Sequence, residues 1–176
     1  GEEDALKTWI REQNELGHRS VYFTLNQVRD RVTSKPTREG ISELRWLHVD
    51  LDPRRGEDLA SEQERLRVLS TSKRPGGLPD PTLVTFSGGG YQVFWRLRAP
   101  VEIRDLAHAE ELKRFNLQIE NLLGGDSCYN IDRLMRLPGT VNWLNKKKLE
   151  AGRLPVLAHV VEKSDARIYD LSEFKP

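Results

Sequence analysis

The stretch Arg45-Trp46-Leu47-His48-Val49-Asp50-Leu51-Asp52-Pro53 decides the fold. It alternates strictly. Leu47, Val49 and Leu51 share one side, while Trp46, His48, Asp50 and Asp52 share the other. A period of two over eight residues predicts a β-strand with one buried aliphatic face and one mostly polar face. Pro53 ends it, because proline gives no N–H to a ladder. Asp50 and Asp52, two residues apart on one face, sit roughly 6.5–7 Å apart along the backbone. Two carboxylates at that reach converge on one or two hard divalent cations, which prefer oxygen ligands. The plainer alternative is a turn cap at Asp52-Pro53 with Asp50 on a solvated sheet face. His48 shares the acidic face, but it is expected to be a hydrogen-bonded neighbour rather than a metal ligand.

Downstream, residues 82–86 and 91–97 are strand-like and flank Ser87-Gly88-Gly89-Gly90, a hairpin with a glycine-rich tip. Successive glycines let backbone N–H groups form a concave nest, and Ser87 and Gln92 add donors. Such a loop suits a phosphate chain. It also suits an ordinary hairpin tip, and it is not a Walker A loop, since no Gly-Lys-Ser/Thr follows. Farther on, Asn130 to Asn142 carries Asp132, Arg133, Arg136 and Pro138-Gly139. If residues 133–136 form one helical turn, both arginines share a face and grip phosphate oxygens. Asp132 is alternatively their salt-bridge partner.

Around these segments, amphipathic helices are expected over 4–16, 58–70 and 103–123, the last stopped by Gly124-Gly125. A strand is expected over 21–25 and a short helix from an N-cap at Thr37 to Leu44. Residues 73–81 read as a loop, 154–161 as a last strand and 170–174 as a last helical turn. Strands and helices mix irregularly, which predicts an α+β fold with a largely antiparallel sheet.

The chain has 176 residues, 37% hydrophobic and 31% charged, so a single domain with a real core is expected over 1–176. No apolar run approaches the length of a membrane span, and the acidic start Gly1-Glu2-Glu3-Asp4 is no signal peptide. One cysteine, Cys128, excludes an internal disulfide and a zinc finger built from this chain alone. A reducing cytoplasmic setting is expected. The 28 basic and 27 acidic residues nearly cancel, so a polyanion would have to meet a local patch. Candidate patches are Arg45, Arg54-Arg55, Lys73-Arg74, Arg133 with Arg136, and Lys146-Lys147-Lys148.

Taken together, the three segments resemble the archaeo-eukaryotic primase superfamily, in particular the primase-polymerase domains of phage, plasmid and mobile-element replication proteins. Asp50-x-Asp52 looks like that family's first motif and Ser87 to Gln92 like its second. Asp132, with the run ending at Asn142, looks like the third. The likeness covers roughly residues 20 to 145. The second motif normally reads Ser-x-His or a glycine-rich variant; here Gln92 stands where the histidine is expected, a hydrogen-bond donor without positive charge.

The resemblance implies an RRM-like, largely antiparallel sheet packed against an N-terminal αβ unit. It implies a catalytic domain belonging to a longer protein that makes or extends primers from nucleoside triphosphates on single-stranded DNA. Asp50, Asp52 and Asp132 would hold Mg²⁺ or Mn²⁺, with no zinc. Ser87, Gly88, Gly89, Gly90, Tyr91 and Gln92 would hold the triphosphate. Arg133, Arg136 and Asn142 would contact nucleotide or template. Any helicase would lie outside this chain. Two other readings stay open: a catalytically weak single-stranded nucleic-acid or origin-binding module, and a metal-dependent nuclease.

Overall fold

A computed structural model describes residues 1–72, 74–150 and 152–176. Lys73 of the expected basic patches lies outside them, as do the side chains of Lys147 and Lys148. The chain opens with α1 (Glu2–Arg11), extended by a wider turn over Glu12–Leu16, then β1 (Tyr22–Thr24) and β2 (Gln27–Val28). The long strand β3 (Ile41–Leu51) leads to α2 (Leu59–Thr71), β4 (Leu83–Phe86) and β5 (Tyr91–Glu102). Then come α3 (Leu106–Leu123), β6 (Leu134–Arg136), β7 (Val141–Asn142) and the short α4 (Lys146–Glu150). The chain finishes with β8 (Val156–Leu157), β9 (His159–Lys163) and β10 (Ile168–Tyr169). The helix starts follow the side chains: Asp58 caps α2 by accepting from Ser61 N–H, and Asp105 caps α3 by accepting from His108 N–H.

The principal sheet runs β2-β3-β5-β4-β9 and is antiparallel throughout; β10 adds to β5 as a parallel strand. Separately, β1 pairs with β6 and β7 with β8. The fold is therefore α+β with a largely antiparallel sheet, as the alternation predicts. On one side of the sheet Leu47, Val49 and Leu51 pack with Val93, Trp95 and Leu97 against Leu66 of α2 and Leu112, Ile119 and Leu123 of α3. On the other side a smaller cluster of Phe94, Leu25 and Met135, with Trp46 against it, joins the sheet to β1 and β6.

The outer edge of β3 has no strand partner beyond Glu43 among the described residues. Side chains finish it instead. Asn26 Oδ1 accepts from the N–H groups of Arg45 and Trp46 at 2.8 and 3.1 Å. Asn116 Oδ1 accepts from His48 N–H at 3.0 Å, and Asp126 N–H donates to Asp50 O at 3.0 Å.

The structure corrects three local expectations. The segment after Thr37 is one 3₁₀ turn over Arg38–Gly40, and β3 starts at Ile41, because Ile41 and Leu44 are needed in the core. Residues 134–136 form a strand against β1, not a helical turn: Met135 is fully buried between the two small-cluster strands. The last strand is split, with Ala158 between β8 and β9 bonding back to Thr140.

Candidate active site

Pairing between β3 and β5 sets Asp50 directly opposite Gln92. The two side chains lie on the same sheet face, and β6 closes in from above: Gln92 Oε1 accepts from Arg136 N–H at 3.1 Å. The Gln92 side chain lies close enough to the Asp50 carboxylate to favour its charged form. A cavity of about 420 Å³ opens here, lined by Tyr22, Lys35, Asp50, Asp52, Ser87, Gln92, Arg133, Arg136 and Asn142. Of the residues expected from sequence, seven thus meet around one space.

Burial and the neighbouring Asp52 push the Asp50 carboxyl up to about 7, against the pull of Arg133 and hydrogen bonds from Cys128 and Gln92. Cys128 is buried beside it, with Sγ 3.7 Å from Asp50 Oδ2 and Arg133 Nη2 2.8 Å from the sulfur. Burial pushes that thiol up to about 12, so it stays an S–H group. Arg136 is buried, its guanidinium 4.2 Å over the Tyr22 ring and its Nη2 donating to Tyr22 Oη at 2.8 Å. Its other nitrogen, Nη1, is buried without a hydrogen-bond partner in the structure.

Asp132 does not line this cavity. It is buried beside it, with Oδ2 3.4 Å from Lys35 Nζ, and Lys35 does line the cavity. The other oxygen, Oδ1, has no hydrogen-bond partner. Among the described residues no group of three His, Cys, Asp or Glu side chains is arranged to hold a metal ion. The carboxylate pair and Asp132 are thus brought into one neighbourhood but not onto one point.

His48 is fully buried and fully engaged. Its Nε2–H donates to Cys128 O at 2.9 Å, and its Nδ1 accepts from Asn116 Nδ2 at 3.2 Å. Burial pushes it down to about 4, so it is neutral. The expectation of a hydrogen-bonded neighbour describes this placement.

The glycine loop is closed from within by Ser87 and Gly90. Ser87 N–H and its hydroxyl both point at Gly90 O, at 2.9 and 3.2 Å, and close the turn. Asn142 Nδ2 donates to Ser87 O at 2.9 Å and pins the loop to β7. Gly90 is required by contact: a Cβ there would lie 2.0 Å from Leu51 O. Gly88 is required by conformation, with φ at +94°. Tyr91 turns into the main core and is not part of the site. Gln92 takes the Arg136 N–H on Oε1 and stands opposite Asp50, so it positions β6 against the carboxylate.

A second cavity of about 430 Å³ lies on the far side of Asp52, Ser87 and Asn142, which line both. Its other walls include Arg54, Arg55, Gly89, Gly125, Asp126 and Arg153. Sequence reasoning missed Tyr22, Lys35, Cys128, Asp126 and Arg153. Each is brought in by chain folding from a segment with no motif of its own.

No family model and no curated protein sequence matches the chain. Among solved structures the chain is similar to the AEP domain of the primase-polymerase (PrimPol) of cyanophage S-2L. The TM-score is 0.62 at 18% identity, and the match covers 93% of this chain and 71% of that one. No helix among the described residues is long and apolar enough to cross a membrane. With its six-stranded sheet, its carboxylates at the end of β3 and this structural match, the chain has the fold of an archaeo-eukaryotic primase-type domain.

Proposed function

We propose that the chain is a template-directed nucleotidyltransferase that makes or extends primers from nucleoside triphosphates on single-stranded DNA. The observation that carries this reading is the cavity where Asp50 and Asp52 face Lys35, Arg133 and Arg136 on a primase-polymerase fold. A carboxylate raised to about 7 by burial and a like charge is a group that a cation would relieve. The orphaned Oδ1 of Asp132 is a second such group. These residues suit Mg²⁺ or Mn²⁺: Asp50 and Asp52 would hold the ions, and Asp132 would join them through its unpartnered Oδ1.

When bound there, such ions would acidify an attacking 3′-hydroxyl and offset negative charge on phosphorus and pyrophosphate. The chain's own groups do the rest. Lys35, Arg133 and Arg136 supply three positive charges to a triphosphate. The free Nη1 of Arg136 is an N–H donor already stripped of water, so an incoming phosphate oxygen costs it no desolvation. Gln92 fixes the register of Asp50 against β6. Cys128 and Arg133 hold the carboxylate from the other side. Stacking on Tyr22 keeps the Arg136 guanidinium from collapsing onto Asp50.

Purified chain is given Mn²⁺ or Mg²⁺, labelled nucleotide and a single-stranded template, with and without a primer. A labelled dinucleotide or an extended primer supports the proposal. Shortening of the template supports a nuclease and overturns it. Template retention without product overturns it in favour of a binding module.

A further inference from the structure

The second cavity, beyond Asp52, is used by none of the roles above. Its walls are the Asp52-Pro53-Arg54-Arg55 turn, Gly89, the Gly124-Gly125-Asp126 turn after α3, and Arg153 from the segment after α4. Its charges are arranged unlike those of the first. Arg54 is committed: its Nε and Nη2 donate to Glu62 Oε1, and its N–H to Glu62 Oε2. Arg55 and Arg153 are in no salt bridge with any described residue. The first cavity offers three cations to a ligand and contains both carboxylates of the β3 pair. The second is lined by Arg55 and Arg153, neither paired with a described residue, and holds Asp52 of the β3 pair together with Asp126.

Arg153 is seated by the glycine loop. A Cβ at Gly89 would lie 2.8 Å from Arg153 Nη2 and 3.9 Å from Cζ, so the tip of the guanidinium rests against the bare Cα. A side chain at position 89 would push the tip of Arg153 aside. Gly89 thus adjoins Arg153, a softer contact than that of Gly90 with the Leu51 carbonyl.

Nucleotidyl transfer needs two reactants on either side of the carboxylates: a triphosphate, and an acceptor that carries the 3′-hydroxyl. Two arginine-lined cavities that share Asp52, Ser87 and Asn142 match that demand. We infer that Arg55 and Arg153 form a phosphodiester clamp in the second cavity that holds the acceptor strand behind its 3′ end. This rests on the nucleotidyltransferase reading for the role of the strand, but not for the clamp itself. Two free guanidiniums suit the single charges of successive phosphodiesters. The three cations of the first cavity suit the denser charge of a triphosphate.

The test is binding before it is activity. A fluorescein-labelled single-stranded oligonucleotide is titrated by anisotropy with wild type, Arg55→Ala, Arg153→Ala and Gly89→Ala across a salt series. A fluorescent nucleoside triphosphate is titrated in parallel with Mn²⁺. Arg153→Ala and Arg55→Ala are expected to weaken the oligonucleotide about tenfold each and to lower the salt slope by about 0.7 per lost contact. Nucleotide affinity should change less than twofold. Gly89→Ala should copy Arg153→Ala in smaller measure, because its methyl group displaces the guanidinium. Unchanged oligonucleotide binding in both arginine variants overturns the clamp. So does a loss confined to the free nucleotide, which would make the second cavity a nucleotide site. In primer extension, Arg153→Ala should raise the KM for primer and leave that for nucleotide. A wild type that binds oligonucleotide through these arginines but incorporates nothing would overturn the enzymatic reading and leave the clamp standing.

Discussion

Leu47, Val49 and Leu51 on one face of β3 meet α2 and α3, and none exposes more than 1% of its surface. On the opposite face, Trp46, His48 and Asp50 meet Phe94, Gln92 and the β6 strand. The aliphatic face acts by area. Any side chain of similar volume fills most of the space, so its residues are exchangeable. The polar face acts by matched pairs: His48 with Asn116 and Cys128, Asp50 with Gln92 and Cys128. There, removing one partner strands another. One strand therefore holds the fold with one side and poises charge with the other.

That difference should appear first in stability. Leu47→Ala is expected to cost about 2–5 kcal/mol in chemical denaturation, while nucleotide affinity per folded molecule stays within twofold. A loss of affinity at full folding would show that the faces are coupled. Next, Asp50→Ala or Asp52→Ala should lower nucleotide incorporation by about 10²–10³-fold, the size of one lost preorganised contact to the transition state. Melting should be unchanged or raised, since one of two repelling charges is gone. Activity within tenfold of wild type would remove the pair from catalysis. Asn116→Ala should cost about 1–3 kcal/mol, because the His48 N–H and ring nitrogen lose their partner in a dry site. Thermal melting reads this directly.

The pH dependence has opposite signs at the half-buried Asp50 and the buried His48. Asp50, raised from 3.8 to about 7, keeps a proton in the folded chain that the unfolded chain gives up. Its contribution to stability is lost as pH rises from about 4 to about 7. His48, lowered from 6.5 to about 4, stays neutral where the unfolded chain takes up a proton. Its contribution is lost as pH falls from about 6.5 to about 4. The two slopes oppose each other below pH 6.5, leaving a net fall between 6.5 and 7. Mn²⁺ affinity, read by calorimetry, should rise about tenfold per pH unit up to about pH 7 and then level, as one proton is displaced. In Asp50→Asn that dependence should vanish. The smallest effect belongs to Gln92→Ala, about 0.5–1.5 kcal/mol in stability, with less than a threefold change in the KM for nucleotide. A larger KM effect would mean that the amide leaves Asp50 to contact the substrate.

Much of this site could be read from residue order because local alternation carries it. A period of two fixes Asp50 and Asp52 at the end of a strand, and a glycine hairpin must bring Gln92 back beside them. The Arg133-to-Asn142 run stays close because it is short. Local pattern carries nothing about Lys35, Tyr22 or Arg153, which enter from segments whose paths are set by distant contacts such as Asn14 with Val141. The arginine pair shows how a correct endpoint can hide a wrong route. Arg133 and Arg136 do line one cavity, but through a strand that buries Met135 rather than through a helical turn. The glycines show the reverse. Their composition suggests a ligand, whereas Gly90 is small because the Leu51 carbonyl stands where its side chain would be.

The capped edge of β3 bears on how the protein behaves in company. A strand with unpaired N–H and C=O groups is a template for other chains, and edge-to-edge pairing is the first step of aggregation. Here the carboxamides of Asn26 and Asn116 and the amide of Asp126 occupy that edge one group at a time. They do so without a covering strand, which leaves the carboxylate end of β3 open to ligands. Asn26→Ala would release two adjacent donors beside the half-buried Trp46. The consequence is sticky protein at high concentration: a rise in light scattering that urea well below the unfolding midpoint disperses.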